Sequence, residues 1–160
     1  MLIHGHDKSG ASFYTVTVAA NIFSRGSKIA FLSGYPMAQE EFRKQVGKDF
    51  DAAKIVFYTK EHVSEFKEFM SNAENQDRIV VLKNIELFSE DVFDLVSSKK
   101  NIIISGDLGK CNFKEKIMNK KFATKIFFSP FDDAALPPLQ KYEAFINFNS
   151  LEGTTRVAPN

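Results

Sequence analysis

The opening stretch of the chain constrains its fold more than any other part of the sequence. Leu2-Ile3-His4 is a short apolar run, glycines follow it at positions 5 and 10, and a stretch with helical spacing of apolar residues begins at Ala11. Glycine permits the backbone conformations that a tight connection between two elements requires. The pattern predicts a buried strand, a glycine-containing loop and a helix, in that order.

Short apolar strands alternate with helices along the rest of the chain. Strands are predicted at residues 28–33, 54–58, 78–82, 101–105, 124–129 and 144–148, and helices at residues 11–23, 38–46, 61–72 and 113–122 and after Ser89. This alternation indicates a parallel sheet with helices on both faces. We therefore predict one α/β domain over residues 1–150, a three-layer α/β/α structure with a mostly parallel central sheet. Residues 151–160 are predicted to form a polar C-terminal tail.

Composition and charge exclude several classes of protein. The net charge of the 160 residues is +1, so no overall field attracts nucleic acid or a membrane surface. No apolar run approaches the roughly 18 to 20 residues that cross a bilayer, so no membrane insertion is expected. The single cysteine, Cys111, excludes an internal disulfide and a cysteine-rich zinc site. These features favour a cytoplasmic protein.

Three segments together carry a resemblance to a known superfamily. Gly5-x-x-x-x-Gly10-Ala11-Ser12 has the glycine spacing of the phosphate-binding P-loop, G-x-x-x-x-G-K-[ST]. With the following SRGSKIAFLSG, it resembles the opening of RecA-like P-loop ATPases. The run RIVVLKNIELF stands in the place of the Walker B strand, and NIIISGDL in that of the sensor strand. The resemblance implies a RecA-like P-loop NTPase fold.

A looser similarity concerns the C-terminal part of the chain. The stretch NKKFATKIFFSPFDDAALPPL, with the later GTTRVAP, is similar to the C-terminal half of the FtsK/HerA branch of these ATPases. That branch includes DNA translocases and the coupling ATPases of conjugation. The similarity implies a place in a DNA-handling or secretion-type assembly.

The sequence departs from the family pattern at three charged positions. Carried over by position, Ala11 replaces the loop lysine, and Lys83 and Asn84 replace the Walker B aspartate and the glutamate beside it. The sensor position falls near Gly106 or Asp107. The loop glycines and the hydroxyl on the magnesium side, Ser12, are retained. The resemblance therefore implies a nucleotide site with degenerate Walker A and Walker B motifs.

The predicted binding loop can still hold a phosphate. Its backbone N–H groups and the helix N-terminus both attract phosphate oxygens, and neither needs the missing lysine. We predict that the loop binds ATP or another nucleotide, with Ser12 as a candidate Mg²⁺ ligand and Lys8 able to lean over the phosphates. The alternative is a turn inherited from an ATPase ancestor that binds nothing. The candidate binding residues are Gly5, His6, Asp7, Lys8, Ser9, Gly10, Ala11, Ser12 and Phe13.

Lys83, Glu86 and Asp107 are the candidate catalytic residues. Lys83 either repels Mg²⁺ from the site or offers its ammonium group to a phosphate. Glu86 and Asp107 follow two predicted central strands, at the edge where open α/β sheets build their ligand sites. Either carboxylate can act there as a metal ligand or as a base that orients water. The alternative is that both are ordinary solvated side chains.

Histidines and lysines supply two further hypotheses. His4 and His6 have a spacing that can share a metal, but the sequence shows no third ligand, so we expect His4 to pack within the strand and His6 to lie on the loop surface. The lysines between residues 99 and 125 can either contact nucleic-acid phosphates or form a solvated face. These lysines are Lys99, Lys100, Lys110, Lys114, Lys116, Lys120, Lys121 and Lys125.

Three functions remain open from the sequence alone. The first is a nucleotide-binding domain with a degenerate site, acting as a non-catalytic or regulatory component of a DNA-handling or secretion-type assembly. The second is an active ATPase whose site is rebuilt from Lys8 or Lys83 with Asp107 or Glu86. The third is a protein-interaction module without nucleotide. Self-association into a homo-oligomer or a larger ATPase assembly is implied by the resemblance only.

Overall fold

Eight strands form one sheet in the order β3-β2-β4-β5-β1-β6-β7-β8. The structure is a computed structural model that describes residues 1–6, 9–128, 143–148 and 151–156. The strands are β1 Leu2–His4, β2 Ile29–Ser33, β3 Ile55–Thr59, β4 Ile79–Lys83, β5 Ile102–Gly106, β6 Thr124–Phe128, β7 Glu143–Phe148 and β8 Leu151–Arg156. The helices are α1 Ala11–Ser24, α2 Met37–Val46, α3 Val63–Ser71, α4 Glu90–Ser97 and α5 Lys114–Asn119.

The strands β1 to β6 pair with one another in parallel, as the alternation of strands and helices predicts. β4 and β5 lie side by side in the middle of the sheet, because their continuous apolar side chains need cover on both faces. β7 then pairs antiparallel with β6, and β8 antiparallel with β7. The sheet is therefore mostly parallel, with an antiparallel extension at one edge.

The C-terminal tail is where the structure differs most from the sequence prediction. Residues 151–156 form β8, an edge strand paired with β7, instead of a polar tail. The polar composition misleads because an edge strand is held by backbone hydrogen bonds to one neighbour and needs no continuous apolar face. Residues 157–160 of the predicted tail lie outside the described residues.

Alternating side chains divide the core into two apolar layers, one on each face of the sheet. Ile3, Val81 and Ile103 pack in the layer that α1 and α2 cover. Leu2, Leu82 and Ile104 point the other way, into the layer covered by α3, α4 and α5. Because successive residues of a strand face opposite sides, each central strand contributes to both layers. The predicted three-layer α/β/α architecture is confirmed.

Aromatic packing fixes α2 against the sheet. The fully buried ring of Phe42 lies 5.4 Å from the ring of Phe23 on α1 and 5.4 Å from that of Phe57 on β3. Edge-to-face pairs of this kind add to the free energy gained by burying the rings. The neighbouring Glu41 is thereby held at a defined place beside the carboxyl ends of the strands.

Helix bounds differ modestly from the predicted ones. The predicted helix 61–72 is a 3₁₀ turn, Lys60–His62, followed by α3, and the predicted helix 113–122 is shortened to α5. α1 ends as predicted, since Gly26 has a positive φ of 94° and its N–H donates to Phe23 O at 2.8 Å. None of the helices in the described part of the chain is long and apolar enough to cross a membrane.

Candidate functional site

A cavity of about 390 Å³ opens at the carboxyl ends of β1, β4 and β5. It lies between the loop that joins β1 to α1, hereafter the β1–α1 loop (residues 5–10), and the turns that follow β4 and β5. Open α/β sheets bind their ligands at this edge. The cavity is lined by Gly5, His6, Gly10, Ala11, Ser12, Phe13, Tyr35, Glu41, Lys83, Asn84, Glu86, Ser105, Gly106 and Asp107.

The structure therefore brings most of the predicted site residues to one place. Nine of the fourteen lining residues were candidates from the sequence, from the β1–α1 loop and α1 on one side and from the strand ends on the other. Ser9 is in the described loop but does not line the cavity. Asp7 and Lys8 lie outside the described residues.

The N-terminus of α1 faces this cavity, and no side chain of the described residues blocks it. Gly10 has a left-handed φ of 95° and precedes the helix, and its carbonyl accepts from Tyr14 N at 2.9 Å. The Phe13 ring is 63% exposed and does not fill the space above the loop. Among the described residues, no acceptor meets the N–H groups of Ser12 and Phe13, so both can reach a bound anion.

Part of the loop satisfies its own donors. Ser9 Oγ accepts from the N–H of Ala11 at 3.3 Å, and Gly5 N donates to Gly106 O at 3.2 Å. A Cβ on Gly5 would lie 2.3 Å from Ser9 Oγ and 2.6 Å from the Ala11 methyl group. Only glycine fits at position 5, because the backbone there lies close to Ser9 and Ala11. The N–H group of Ala11 is already bonded within the loop and is not directed at a ligand.

Lys83 places a buried cation at the end of β4. Its side chain is 4% exposed, and it makes no hydrogen bond or ion pair with any residue that the structure describes. Burial lowers the pKa of Lys83, while the charges of Glu41 and Glu86 oppose that shift. A desolvated ammonium group is costly when no described residue pairs with it directly, even though Glu41 and Glu86 act on it from a distance, and this marks the position as a candidate anion contact.

Three buried oxygen atoms in the cavity wall have no hydrogen-bond partner among the described residues. They are Glu41 Oε2, Asn84 Oδ1 and Ser105 Oγ. Buried polar atoms are nearly always paired, so their concentration here indicates a place for a polar ligand or bound water. Sequence reasoning had placed Asn84 at the Walker B glutamate position but missed Glu41 and Ser105 as site residues. Glu41 carries no signal because it lies on the polar side of an amphipathic helix, where charge is ordinary.

Glu86 and Asp107 are both engaged in structural hydrogen bonds. Glu86 Oε2 accepts from Asp107 N at 3.0 Å. Asp107 Oδ1 accepts from the N–H of Gly109 at 3.0 Å, and Asp107 Oδ2 lies 2.8 Å from His6 Nδ1 and 3.4 Å from Lys110 Nζ. Burial alone would raise the pKa of Asp107, but His6, the Gly109 N–H and Lys110 together hold it below its usual value. Both oxygens of Asp107 are used in these contacts, whereas the bond of Glu86 uses Oε2 and leaves Oε1 able to accept a further hydrogen bond.

His4 and His6 meet Asp107 on the β5 side of the loop. One potential ligand atom of each residue lies within 4.8 Å of the others, so Asp107 is the third group that the sequence did not reveal. His4 is fully buried in β1, as expected, and His6 lies in the loop. Burial, followed by the charge of His6, lowers the pKa of His4 to about 4, so the ring is neutral at physiological pH.

The lysines between residues 99 and 125 are largely paired with neighbouring groups. Lys116 forms ion pairs of 2.6 Å with Glu90 and with Asp94, and Lys120 donates to Ser97 O at 2.6 Å. Lys125 donates to Met118 O at 3.3 Å, and Lys99 to Gln76 Oε1. These contacts neutralise or occupy part of the positive charge that the lysines would need to bind nucleic-acid phosphates. Contact with nucleic acid stays a prediction.

Comparison with known proteins identifies the fold but not a family. No protein-family model matches the chain, and no curated protein matches it. Among solved structures, the chain is similar to the crystal structure of flagellar accessory protein FlaH from Methanocaldococcus jannaschii, with a TM-score of 0.60 at 11% identity. The match covers 92% of this chain and 76% of FlaH. At that identity the likeness concerns the fold alone, which is RecA-like.

Proposed function

We propose that this chain is a P-loop NTPase-like domain that binds a nucleotide through its phosphates and hydrolyses it slowly or not at all. The ligand occupies the cavity at the carboxyl ends of β1, β4 and β5. The N-terminus of α1 provides N–H donors on one side of that cavity, and Lys83 provides a cation on the other. In this proposal the Walker A and Walker B positions are degenerate, and Lys83 takes over the charge that Ala11 no longer supplies.

The single observation that carries the proposal is the buried ammonium group of Lys83 in the cavity wall. A buried charge is tolerated when a counter-charge reaches it. The charges of Glu41 and Glu86 favour the charged form of Lys83, but none of the described residues forms a direct ion pair with it. A phosphate bound at the α1 N-terminus would supply that negative charge. The unpaired oxygens of Asn84 and Ser105 line the same cavity and are available to the hydroxyl or amino groups of a nucleotide.

The arrangement of carboxylates supports binding over hydrolysis. Phosphoryl transfer depends on cations that neutralise the developing charge and on a group that positions the attacking water. Lys83 stands where an Mg²⁺-organising carboxylate would be needed, and Glu86 and Asp107 are held by the hydrogen bonds described above. An ATPase rebuilt on Asp107 would have to break one of those bonds during its reaction, whereas one rebuilt on Glu86 would have to act through Oε1.

The proposed role is that of a non-catalytic or regulatory component of an oligomeric or secretion-type assembly. The structural neighbour is described as a flagellar accessory protein, which supports a place beside a larger machine. RecA-type ATPases, which this chain resembles, usually build each nucleotide site from two neighbouring subunits. We therefore include in the proposal that the chain self-associates when it binds nucleotide. Light scattering with and without nucleotide tests this part, since the proposal expects a larger particle with nucleotide.

A binding titration with a matched pair of lysine variants tests the site. Lys83→Met removes the buried charge but keeps a similar side-chain volume, whereas Lys48→Met removes an exposed lysine in the 3₁₀ turn Gly47–Asp49 that follows α2. The affinity for a fluorescent ADP analogue should fall about tenfold or more in Lys83→Met, because hydrogen bonds to charged groups are worth about 1.5–3 kcal/mol. Lys48→Met should bind like the wild type. Equal affinity in all three proteins would refute the role of Lys83.

A further inference from the structure

His4, His6 and Asp107 form a cluster of potential metal ligands beside the cavity, and His6 and Asp107 belong to its wall. Two imidazoles and one carboxylate each offer one ligand atom, and the three atoms lie within 4.8 Å of one another. Ligand atoms in a tetrahedral zinc site are about 3.3 Å apart for bonds of about 2.0–2.1 Å. Small side-chain rotations therefore suffice to close this cluster around an ion.

The backbone already fixes two of the three ligands. Asp107 is held through Oδ1 by the N–H of Gly109, which leaves Oδ2 directed at His6. The His4 ring is buried with Nδ1 placed 2.9 Å from Leu108 N and 3.1 Å from Gly106 O. When Nε2 of a histidine binds a metal, its proton resides on Nδ1 and usually goes to a carbonyl or carboxylate. Gly106 O can accept that proton from His4 Nδ1. Protonated Nδ1 can then no longer accept the hydrogen bond from Leu108 N.

The third ligand has the freedom that metal entry requires. The His6 side chain is 39% exposed and sits in a loop between two glycines, so its ring can turn from Asp107 toward an ion. His6 and Asp107 also line the open cavity, which gives an ion a path from solvent. Lys110 Nζ, 3.4 Å from Asp107 Oδ2, opposes a cation, but its side chain is 62% exposed and can move away.

We propose that His4, His6 and Asp107 bind a divalent transition metal, independently of the nucleotide. The donor set selects the class of ion, because imidazole nitrogen suits Zn²⁺, Co²⁺ or Fe²⁺, whereas Mg²⁺ prefers oxygen ligands. Three protein ligands leave at least one coordination position for water or for an incoming group. The site goes beyond the proposed nucleotide function, since the ion is held by His4, His6 and Asp107, whereas the phosphates are held by Lys83 and the N–H groups at the start of α1.

Calorimetric titration of the metal-free full-length chain with Zn²⁺, in the absence of nucleotide, tests the proposal. Wild type should bind one equivalent, and an excess of Mg²⁺ should not displace it. His6→Ala should weaken binding at least about tenfold, because even changes to the outer partners of metal ligands cost 10- to 100-fold. His6 is partly exposed, so this variant should fold, and circular dichroism verifies that it does.

The chain offers a matched control and a gain-of-affinity variant. His62 is the only other histidine and lies beside the edge strand β3, four positions from β1 in the sheet, so His62→Ala should bind Zn²⁺ like the wild type. Lys110→Ala should bind more tightly, because it removes a positive charge beside a ligand oxygen. The absorption of bound Co²⁺ should be lost in His6→Ala and kept in His62→Ala. Equal Zn²⁺ binding by the two histidine variants, or no binding by wild type, would overturn the proposal.

Discussion

The carboxylate of Glu86 accepts a hydrogen bond from the backbone N–H of Asp107 across a distance of 3.0 Å. This bond joins the 3₁₀ turn Ile85–Leu87, which follows β4, to the end of β5. It passes beside Gly106, where a Cβ would lie 2.1 Å from Glu86 Oε2 and 2.7 Å from Ile85 N. The two strand ends that wall the cavity are therefore held together by a contact that only glycine admits.

Gly106→Ala should destabilise the protein by about 1–3 kcal/mol, the usual cost of forcing extra atoms into a packed site. The backbone adds to this cost because φ of Gly106 is +155°, a value that other residues rarely adopt. Urea unfolding measures the change. Gly153→Ala is the control, since a Cβ there meets nothing within 4 Å, and it should leave the stability nearly unchanged. A similar loss in both variants would show that the contact with Glu86 is not the cause.

Glu86→Gln separates a structural role from a catalytic one. The glutamine oxygen can still accept from Asp107 N, so stability should change little, whereas Glu86→Ala leaves that N–H unpaired and should cost about 1–3 kcal/mol. Any slow ATP hydrolysis by the wild type should persist in Glu86→Gln. Loss of turnover in Glu86→Gln with unchanged stability would instead favour the rebuilt ATPase.

Lys83→Met should increase the free energy of unfolding while it weakens phosphate binding. Replacing a buried charge by an apolar side chain of similar volume commonly stabilises a protein, and we expect a gain of about 1–2 kcal/mol. A substitution that raises stability but lowers affinity for the ligand indicates that the original residue serves binding and not the stability of the fold. If Lys83→Met proved less stable than the wild type by a similar amount, Lys83 would be part of the structural framework.

The difference in the free energy of unfolding between wild type and Lys83→Met should become smaller as the pH rises toward 10.5. Burial lowers the pKa of Lys83 in the folded state below its ordinary value of 10.5. Between the folded pKa and 10.5 the unfolded chain holds a proton that the folded chain does not, so the wild type gains stability as pH rises through this window. Urea unfolding at a series of alkaline pH values should show the gap closing toward pH 10.5. A constant gap would contradict the lowered pKa.

Nucleotide binding should weaken over the same alkaline window, because the neutral amine no longer attracts phosphate. Lys83→Met should show no such loss between neutral pH and pH 10.5, since it lacks the titrating group. Titrating both proteins with the fluorescent ADP analogue at matched pH values tests this. Parallel loss of affinity in the two proteins would assign the effect to another group.

Much of the fold follows from the local pattern of the sequence. Short, continuous apolar runs such as residues 78–82 and 101–105 are typical of strands in a parallel sheet that helices cover on both faces, because both sets of side chains are then removed from water. These runs form β4 and β5. The edge strand β8 was missed because its pairing depends on β7, and a polar edge strand has no apolar periodicity to detect.

The site could be predicted only in part. The β1–α1 loop and the residues that directly follow β4 and β5 were accessible, because parallel strands bring their carboxyl ends to one edge. Glu41 was not, since its place in the cavity results from the packing of Phe42 beneath α2. The meeting of Asp107 with His4 and His6 depends on β5 lying next to β1, and nothing in either local segment specifies that order.

In the proposed site Lys83 and the α1 N-terminus hold the phosphates, and because Lys83 stands where the magnesium-organising carboxylate would be, we expect nucleotide to bind without a magnesium ion. Titrating the full-length chain with ADP, once with Mg²⁺ and once with EDTA, tests it most directly. The account predicts measurable binding with nearly equal dissociation constants in the two conditions. Binding that requires Mg²⁺ would contradict the role given to Lys83, and no binding in either condition would contradict the nucleotide site itself.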